Sequence, residues 1–126
     1  MTKEIINSSK APAPIGPYNQ AVKAGNLLFV SGQIAIDPSN GELVLGSIEA
    51  ETTMVLKNIE AILSEAGTHF SNVLKSTIFI SDMNNFATIN EIYGRFFTEP
   101  FPARETVEVS KLPKGVNVEI SVIALV

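Results

Sequence analysis

Cysteine is absent from this sequence, and histidine occurs only once. Without cysteine the chain can form neither disulfide bonds nor thiolate-ligated zinc sites, and it has no thiol nucleophile. The one histidine, His69, stands in a polar turn between Gly67 and Phe70, so we interpret it as a solvated turn residue. A Ser-His-Asp triad and a multi-histidine metal site are therefore disfavoured, and no metal site is predicted.

Long apolar runs are also missing. No stretch approaches the roughly 20 apolar residues that cross a membrane, and the N-terminus leads into a short strand-like segment instead of a signal peptide. We therefore expect a cytoplasmic protein with no membrane partner. The net charge of -4 at pH 7 disfavours nucleic acid as a partner. Residues 41–46 lack both the glycine spacing and the following lysine of a phosphate-binding loop, so no nucleotide cofactor is predicted.

The composition is that of one ordered domain. A chain of 126 residues is long enough to bury one core and too short for two, so residues 1–126 are interpreted as a single unit. Apolar residues make up 45% of the chain and charged residues 17%, which is typical of globular proteins. Three prolines and a glycine within residues 11–18 predict a rigid, irregular loop.

Strand-like segments lie towards both ends of the chain. The pair Gly25-Asn26 stands between two apolar runs and predicts a hairpin. Elsewhere, β-branched, aromatic or alternating residues predict further strands. The predicted strands cover residues 21–23, 27–30, 33–36, 73–80, 104–110 and 118–126.

Two amphipathic helices are predicted between these strands. Between residues 48 and 66 the apolar residues recur at helical spacing, and Gly67 stands where a helix commonly stops. The opposite face of this helix is assigned to Glu51, Lys57, Asn58 and Glu65. A second helix is predicted to begin after Asp82 or Asn84, to carry Phe86 to Phe97 and to end before Pro100.

The predicted order β-β-β, α, β, α, β, β describes an α+β domain with a mixed sheet of about six strands. Because a helix connects residues 73–80 to residues 104–110, these two strands should be parallel neighbours. Two helices can cover only one face of such a sheet, so the other face would stay apolar and exposed in a monomer. Oligomerisation is therefore expected.

Arg104 and Glu119 are the two charged residues with a chemical interpretation. Arg104 follows Phe101-Pro102-Ala103, a rigid approach that would position a planar donor for a carboxylate, although a solvated strand-end charge or an ion pair is the alternative. Glu119 stands in the most apolar strand, where an inward carboxylate would have a raised pKa suited to acid-base work. Outward orientation is the alternative. If residues 112–115 closed a hairpin, Glu119 would lie opposite Glu108, roughly 13 Å from Arg104 along the strand.

Five ordered motifs give the sequence a family likeness. They resemble the successive signatures of the reactive intermediate deaminase family, also called the Rid or YjgF family, over nearly the whole chain. Pro-Ala-Arg with a glutamate fifteen positions later resembles the archetypal deaminase subgroup. The motifs are Ile15-Gly16-Pro17-Tyr18, Leu28-Phe29-Val30-Ser31-Gly32-Gln33, Phe79-Ile80-Ser81-Asp82-Met83, Phe101-Pro102-Ala103-Arg104 and Leu112-Pro113-Lys114-Gly115-Val116-Asn117-Val118-Glu119-Ile120.

This resemblance implies a chorismate-mutase-like fold, with two helices on one face of the sheet, and a homotrimer with clefts between subunits. It also implies an enzyme that hydrolyses reactive 2-imino or enamine acids, 2-iminobutanoate and 2-iminopropanoate, to 2-oxo acids and ammonia, a removal of damaging metabolites that needs no cofactor. The implied partner is a small imino acid or another carboxylate. The alternatives are a regulatory module that binds small carboxylates without turnover and, less favoured because of the acidic charge, an endoribonuclease.

The resemblance also implies roles for individual residues. Arg104 would hold the substrate carboxylate, and Glu119 would activate the attacking water. The residues implied to line the cleft are Tyr18, Ser31, Gly32, Asn90 and the backbone of Thr106. Thr106 replaces a cysteine found in many members, and Ser121 replaces a second acidic residue, so no role of that thiol or second acid carries over.

Overall fold

The computed structural model describes residues 2–126, which form one α+β unit around a six-stranded sheet. The two α-helices are α1 (Ile48–Glu65) and α2 (Phe86–Gly94). Within the described residues, no helix is long and apolar enough to cross a membrane. The strands are β1 (Lys3–Ile6), β2 (Ala21–Ala24), β3 (Leu27–Gln33), β4 (Val73–Ile80), β5 (Ala103–Glu108) and β6 (Val118–Leu125).

The predicted order of elements is confirmed, with one change among the first three strands. The strand-like N-terminal segment is a true strand, β1, whereas β3 ends at Gln33 and the predicted continuation at residues 33–36 is reduced to an isolated bridge between Ile36 and Leu43. The dense turn formers that follow Ile36 leave that segment no room for a regular ladder.

The strands follow the spatial order β1-β2-β3-β6-β4-β5. Only β4 and β5 are parallel, which confirms the neighbours expected from the helical connection. The hairpin considered for residues 112–115 is not formed, because β4 lies between β5 and β6 and pairs with both. Glu119 is consequently aligned with Val107 through Phe79, and not with Glu108.

Helix α1 starts and ends close to the predicted residues. The side chain of Ser47 accepts a hydrogen bond from the Ala50 backbone N–H, which caps the helix start. Gly67, at φ 79°, takes the left-handed conformation beyond its end. Assigning Glu51 and Asn58 to the solvent face was wrong, because both are fully buried. Glu51 accepts hydrogen bonds from the backbone of Asn117 and Val118, and Asn58 donates to the carbonyl oxygens of residues 34 and 36, so both side chains have partners in the interior.

Helix α2 is shorter than predicted and is preceded by a 3₁₀ turn, Met83–Asn85. The Asp82 side chain caps this turn by accepting from the Asn84 N–H, whereas α2 itself begins after Asn85 without a side-chain cap, so neither predicted residue caps α2 directly. Phe97 lies beyond the helix, yet it stacks on Tyr93 with a ring separation of 4.2 Å. The aromatic residues whose spacing predicted a longer helix therefore belong to a buried cluster that continues beyond the helix. Apolar residues at helical spacing and apolar residues packed in such a cluster look alike in the sequence.

Both helices pack on one face of the sheet. Ser76, Ile78 and Ile80 of β4 and their partners on β6 are buried beneath them in a single core. The opposite face is uncovered and mixed in character: Phe29 is 45% exposed there, while Lys75 and Glu105 form an ion pair of 3.3 Å. The prediction of an apolar open face therefore holds for only part of it, and assembly stays a prediction.

Candidate active site

Arg104 lies on edge strand β5 with its guanidinium group held in one orientation. Its Nη1 donates to the Asn90 side-chain oxygen at 2.7 Å, and its Cζ lies 4.9 Å from the centre of the Tyr93 ring and 5.7 Å from that of Phe86. No carboxylate lies within ion-pair distance of it, so the alternative of a structural ion pair is wrong for residues 2–126. The guanidinium keeps donors available to an external anion.

The aromatic support beneath Arg104 is itself fixed. The Tyr93 hydroxyl donates to Ser76 Oγ at 2.9 Å, and both side chains are buried. Burial raises the pKa of the Tyr93 hydroxyl, and the hydrogen bond to Ser76 and the charge of Arg104 oppose that rise. A neutral, buried ring with its electron-rich face towards Arg104 stabilises the cation without neutralising it.

Arg104 borders a surface depression of about 480 Å³ that is lined mainly by apolar groups. Phe101 forms part of its rim and is 60% exposed. A cation with free donors beside aromatic and aliphatic carbon suits a small molecule that carries one carboxylate and a short apolar part. The other lining residues are Asn90, Tyr93, Gly94 and Pro102.

Glu119 lies in a second, narrower depression of about 100 Å³. Its side chain points away from the core to the open face of the sheet and is half-buried there, so the outward orientation is confirmed and the inward one is wrong. Burial raises the pKa of the Glu119 carboxyl above its ordinary value. A carboxylate with this environment accepts a proton more readily near neutral pH than a solvated one does.

Gly32 closes one side of the space around Glu119. Two residues of β3, Ser31 and Gly32, stand opposite the single residue Ser121 of β6, which is the signature of a β-bulge. A Cβ atom on Gly32 would lie 2.8 Å from Cδ of Glu119, closer than unbonded carbon atoms approach. Glycine therefore leaves the Glu119 carboxyl the space for its observed orientation, and the interrupted strand noted in the sequence is this bulge.

The proline-rich loop covers the same depression and is anchored from within. The buried side chain of Gln20 accepts from the Ser8 N–H and donates to the carbonyl oxygens of Ser8, Ala11 and Pro12. Tyr18, at the end of this loop, lines the depression beside Glu119 and is 49% exposed. No sequence pattern points to Gln20, because a single glutamine next to a predicted strand does not indicate whether it is buried.

Ser31 and Thr106 line neither depression in a single chain, so their role in the cleft stays a prediction. The Ser31 hydroxyl donates to the Asn19 carbonyl at 2.6 Å and so joins the bulge to the proline-rich loop. Thr106 is aligned with Ile78 on the helix-facing side of β5, two residues beyond Arg104, and borders neither depression. Asn90, by contrast, reaches the predicted site and holds Arg104.

His69 and Arg95 lie outside both depressions. His69 is exposed in its turn, where it contacts the Ser71 hydroxyl, and Arg95, the residue after α2, pairs with Glu91 of that helix at 3.2 Å. No cluster of three or more metal-binding side chains occurs between residues 2 and 126.

Arg104 and Glu119 do not meet within one chain. Arg104 is aligned with Ser76 and faces the helices, whereas Glu119 is aligned with Phe79, three positions along β4, and faces the open side. Their strands are two apart, so the residues are separated by roughly 10 Å along the strands and about 10 Å across them. One chain therefore presents two separate half-sites, the Arg104 half-site and the Glu119 half-site.

A family model described as Endoribonuclease L-PSP matches residues 8–126. A RutC family protein of Pyrococcus abyssi is 53% identical over 124 residues, which cover 98% of either chain. The mouse protein named 2-iminobutanoate/2-iminopropanoate deaminase is 46% identical over 98% of this chain and 91% of its own. A crystal structure of a Rid family protein from Yersinia pestis has a TM-score of 0.97 at 51% identity and covers 99% of this chain and 100% of its own.

Proposed function

Because this chain belongs to the reactive intermediate deaminase (Rid/YjgF) family, the family of the matching L-PSP model and of the RutC proteins, we propose that it hydrolyses 2-imino acids to 2-oxo acids and ammonia. The substrates proposed are 2-iminobutanoate and 2-iminopropanoate, the two imino acids in the name of the mouse relative. The observation that carries the proposal is the combination of a fixed, exposed guanidinium at Arg104 with a partly desolvated carboxyl at Glu119.

Arg104 supplies the binding step. Its orientation is set by Asn90 and Tyr93, so little side-chain freedom is lost when an anion arrives. Charge-assisted hydrogen bonds from a guanidinium to a carboxylate are short and directional, and a two-pronged contact fixes the plane of the bound group. The apolar rim at Phe101 and Pro102 would then contact the short carbon chain of the imino acid.

Glu119 supplies the hydrolytic step. For an imine protonated at nitrogen, the Glu119 carboxylate removes a proton from water as the water oxygen bonds to the imine carbon, and the C=N electron pair moves to nitrogen, which gives a neutral carbinolamine. The proton held by Glu119 then passes to that nitrogen. As the C–N bond breaks and ammonia leaves, the regenerated carboxylate takes the hydroxyl proton, so the hydroxyl becomes the carbonyl of the 2-oxo acid, and Glu119 then releases this proton to ammonia or solvent. The raised pKa of Glu119 serves both directions of this transfer.

The complete cleft requires two copies of the chain. The 100 Å³ depression at Glu119 is well below the usual size of ligand pockets, and Arg104 opens onto a different surface. We propose that the Arg104 half-site of one copy faces the Glu119 half-site of the next, and that three copies close the ring as a homotrimer. Tyr18, Gly32 and the Thr106 backbone would then border the bound imino acid from either side.

A non-catalytic carboxylate-binding module is the second candidate. The Arg104 half-site alone would serve such a module, because its donors and apolar rim need no acid-base group. What favours catalysis is Glu119. Partial burial of a carboxylate is unfavourable, and a module that only binds carboxylates has no need of such a group.

The test couples the protein to a pyridoxal-phosphate-dependent threonine dehydratase and follows 2-oxobutanoate while semicarbazide traps free imine. We expect the wild-type protein to speed 2-oxobutanoate formation and to lower the semicarbazone yield. Arg104→Ala should lose this effect by roughly a hundredfold or more, since the carboxylate loses its anchor. Glu119→Gln, with the same shape, should lose about a hundredfold or more through kcat, since the base is removed.

Arg95→Ala is the matched control, because it removes the other arginine from an exposed position directly after α2. It should leave the rate unchanged. The contrary result is an assembled wild-type protein that accelerates the hydrolysis of none of several 2-imino acids and yet binds 2-oxobutanoate in an Arg104-dependent manner. That result would replace the deaminase hypothesis with the binding-module hypothesis.

A further inference from the structure

Glu51 is a fully buried carboxylate on helix α1, and the proposed reaction gives it no role. It forms no ion pair with any residue of the described chain, 2–126. Burying an acidic side chain among apolar residues is unfavourable unless hydrogen-bond donors surround it. An apolar residue at this helix position would avoid the desolvation free energy of a buried carboxylate. The hydrogen-bond partners of Glu51 indicate why a carboxylate is present.

All the donors to Glu51 come from the start of β6. Its Oε2 accepts from the backbone N–H of Asn117 at 2.7 Å and of Val118 at 3.3 Å, and its Oε1 accepts from Asn117 Nδ2 at 2.7 Å. Asn117 is in turn tied to the end of β4, because its carbonyl accepts from the Ser81 N–H at 3.1 Å. One side chain of α1 thus fixes the two residues that precede Glu119.

This part of the chain lies between a strained turn and the first regular strand pairing. The 3₁₀ turn before it contains two consecutive left-handed residues, Lys114 at φ 57° and Gly115 at φ 70°. A non-glycine residue in this conformation is strained, and regular pairing with β4 begins only at Val118. The entry into β6 is held by the hydrogen bond from the Ser81 N–H, by the burial of Val116 and by Glu51, which provides three hydrogen bonds.

The Glu119 carboxyl has little free space around it, so a small shift of the backbone that Glu51 holds would displace it. The carboxyl carbon of Glu119 lies where a Cβ atom on Gly32 would be in hard contact, so the group fits closely against the bulge of β3. Val118 points into the core and Glu119 points to the opposite side, so a shift of the Val118 backbone moves the carboxyl directly. A displacement of well under 1 Å alters both its aim and its desolvation.

We infer that Glu51 is a positioning residue for the proposed deaminase: its buried carboxylate fixes the entry into β6 and thereby holds Glu119 at the angle at which it meets water. This role rests on the proposed function. Glu51 touches no substrate and transfers no proton. It acts through the backbone of Asn117 and Val118 alone.

The matched variant is Glu51→Gln, which keeps shape and removes charge. An amide has one acceptor oxygen, so it can serve the two backbone N–H groups only if its NH₂ faces the NH₂ of Asn117. We expect kcat to fall about tenfold and KM to change less than twofold, because Arg104 still binds the carboxylate. The acidic limb of the kcat/KM profile should move to lower pH, because a loosened Glu119 is better solvated.

A double variant separates positioning from general weakening. In a Glu119→Gln background, Glu51→Gln should lower the residual rate no further, since the group it positions is already gone. Thr68→Val is the control, because the buried Thr68 hydroxyl anchors the opposite end of β6 by donating to the Leu125 carbonyl at 2.7 Å. It should lower stability without altering kcat or the pH profile.

A titration of Glu119 tests the positioning role of Glu51 without measuring catalysis, so it distinguishes failure of this inference from failure of the proposed function. With ¹³C-labelled glutamate, the Glu119 carboxyl resonance is followed against pH in the assembled wild type and in Glu51→Gln, and we expect a lower pKa in the variant. An unchanged Glu119 titration, an unchanged kcat, or an equal further loss in the Glu119→Gln background would overturn the inference. Should Glu51→Gln not fold, Glu51→Asp, which keeps the charge but shortens the reach, takes its place with the same expectations.

Discussion

Gly32 is the residue that sets the space available to the Glu119 carboxyl. The proximity is a property of the bulge in β3, which brings a backbone carbon of one strand over a side chain of its neighbour. Because the obstacle is the end of a flexible side chain, an added methyl group would rotate the carboxyl away and leave the backbone in place.

We therefore expect Gly32→Ala to change the free energy of unfolding by no more than about 1 kcal/mol and to lower the imine hydrolysis rate at least roughly tenfold. Chemical denaturation and the dehydratase-coupled assay measure the two effects on the same preparation. Gly46→Ala is the control, since an added Cβ there meets no atom within 4 Å. A Gly32→Ala protein with full activity would show that Glu119 does not need its observed orientation.

At the scale of elements, the proline-rich loop is held in place by the side chain of Gln20 and not by backbone pairing within a sheet. Gln20 provides one acceptor and three donated hydrogen bonds to residues 8–12, and these fix the loop that places Tyr18 beside Glu119. Loops that carry site residues need such internal anchors because they lack regular backbone pairing.

Gln20→Leu should cost about 2 kcal/mol of unfolding free energy, because buried carbonyl and N–H groups of the loop lose their partner. Hydrogen exchange should show faster exchange within residues 8–18 and unchanged protection in β4 and β6. Asn40→Ala, which removes one exposed side-chain hydrogen bond in another loop, should cost less than about 0.5 kcal/mol. Unchanged exchange in the loop of Gln20→Leu would contradict the anchoring role.

The elements themselves were largely predictable because their signals are local. Ser47 and Gly67 mark the two ends of α1, and Asp82 marks the turn before α2, each through hydrogen bonding or dihedral preference within a few residues. The errors at Glu51 and Asn58 have a common cause. Their partners lie 66 and 22 to 24 residues away, so no local pattern can reveal that they are buried.

At the scale of the whole molecule, the separation of Arg104 from Glu119 makes a composite site testable by subunit mixing. Arg104→Ala and Glu119→Gln proteins should each be inactive alone. After unfolding and refolding together in equal amounts, about one quarter of the clefts in a cyclic trimer would combine an intact arginine with an intact glutamate. We expect about one quarter of the wild-type activity to return.

Subunit exchange is verified by native mass spectrometry with one variant carrying a mass label. If mixed trimers that contain both variants have formed and the mixture still shows no activity, a cleft shared between copies is contradicted. Refolding either variant alone, under the same conditions, controls for activity created by the procedure.

The sequence by itself determined the kinds of chemistry available: no thiol, one histidine in an exposed turn, one arginine placed by a proline, and one glutamate in an apolar strand. It also determined most element boundaries. Only the tertiary structure decided that β4 lies between β5 and β6, that Arg104 and Glu119 face opposite sides, and that Glu51 is buried. The physical reason is that strand order and burial depend on contacts between residues far apart in the chain, whereas caps, turns and periodicity act between near neighbours.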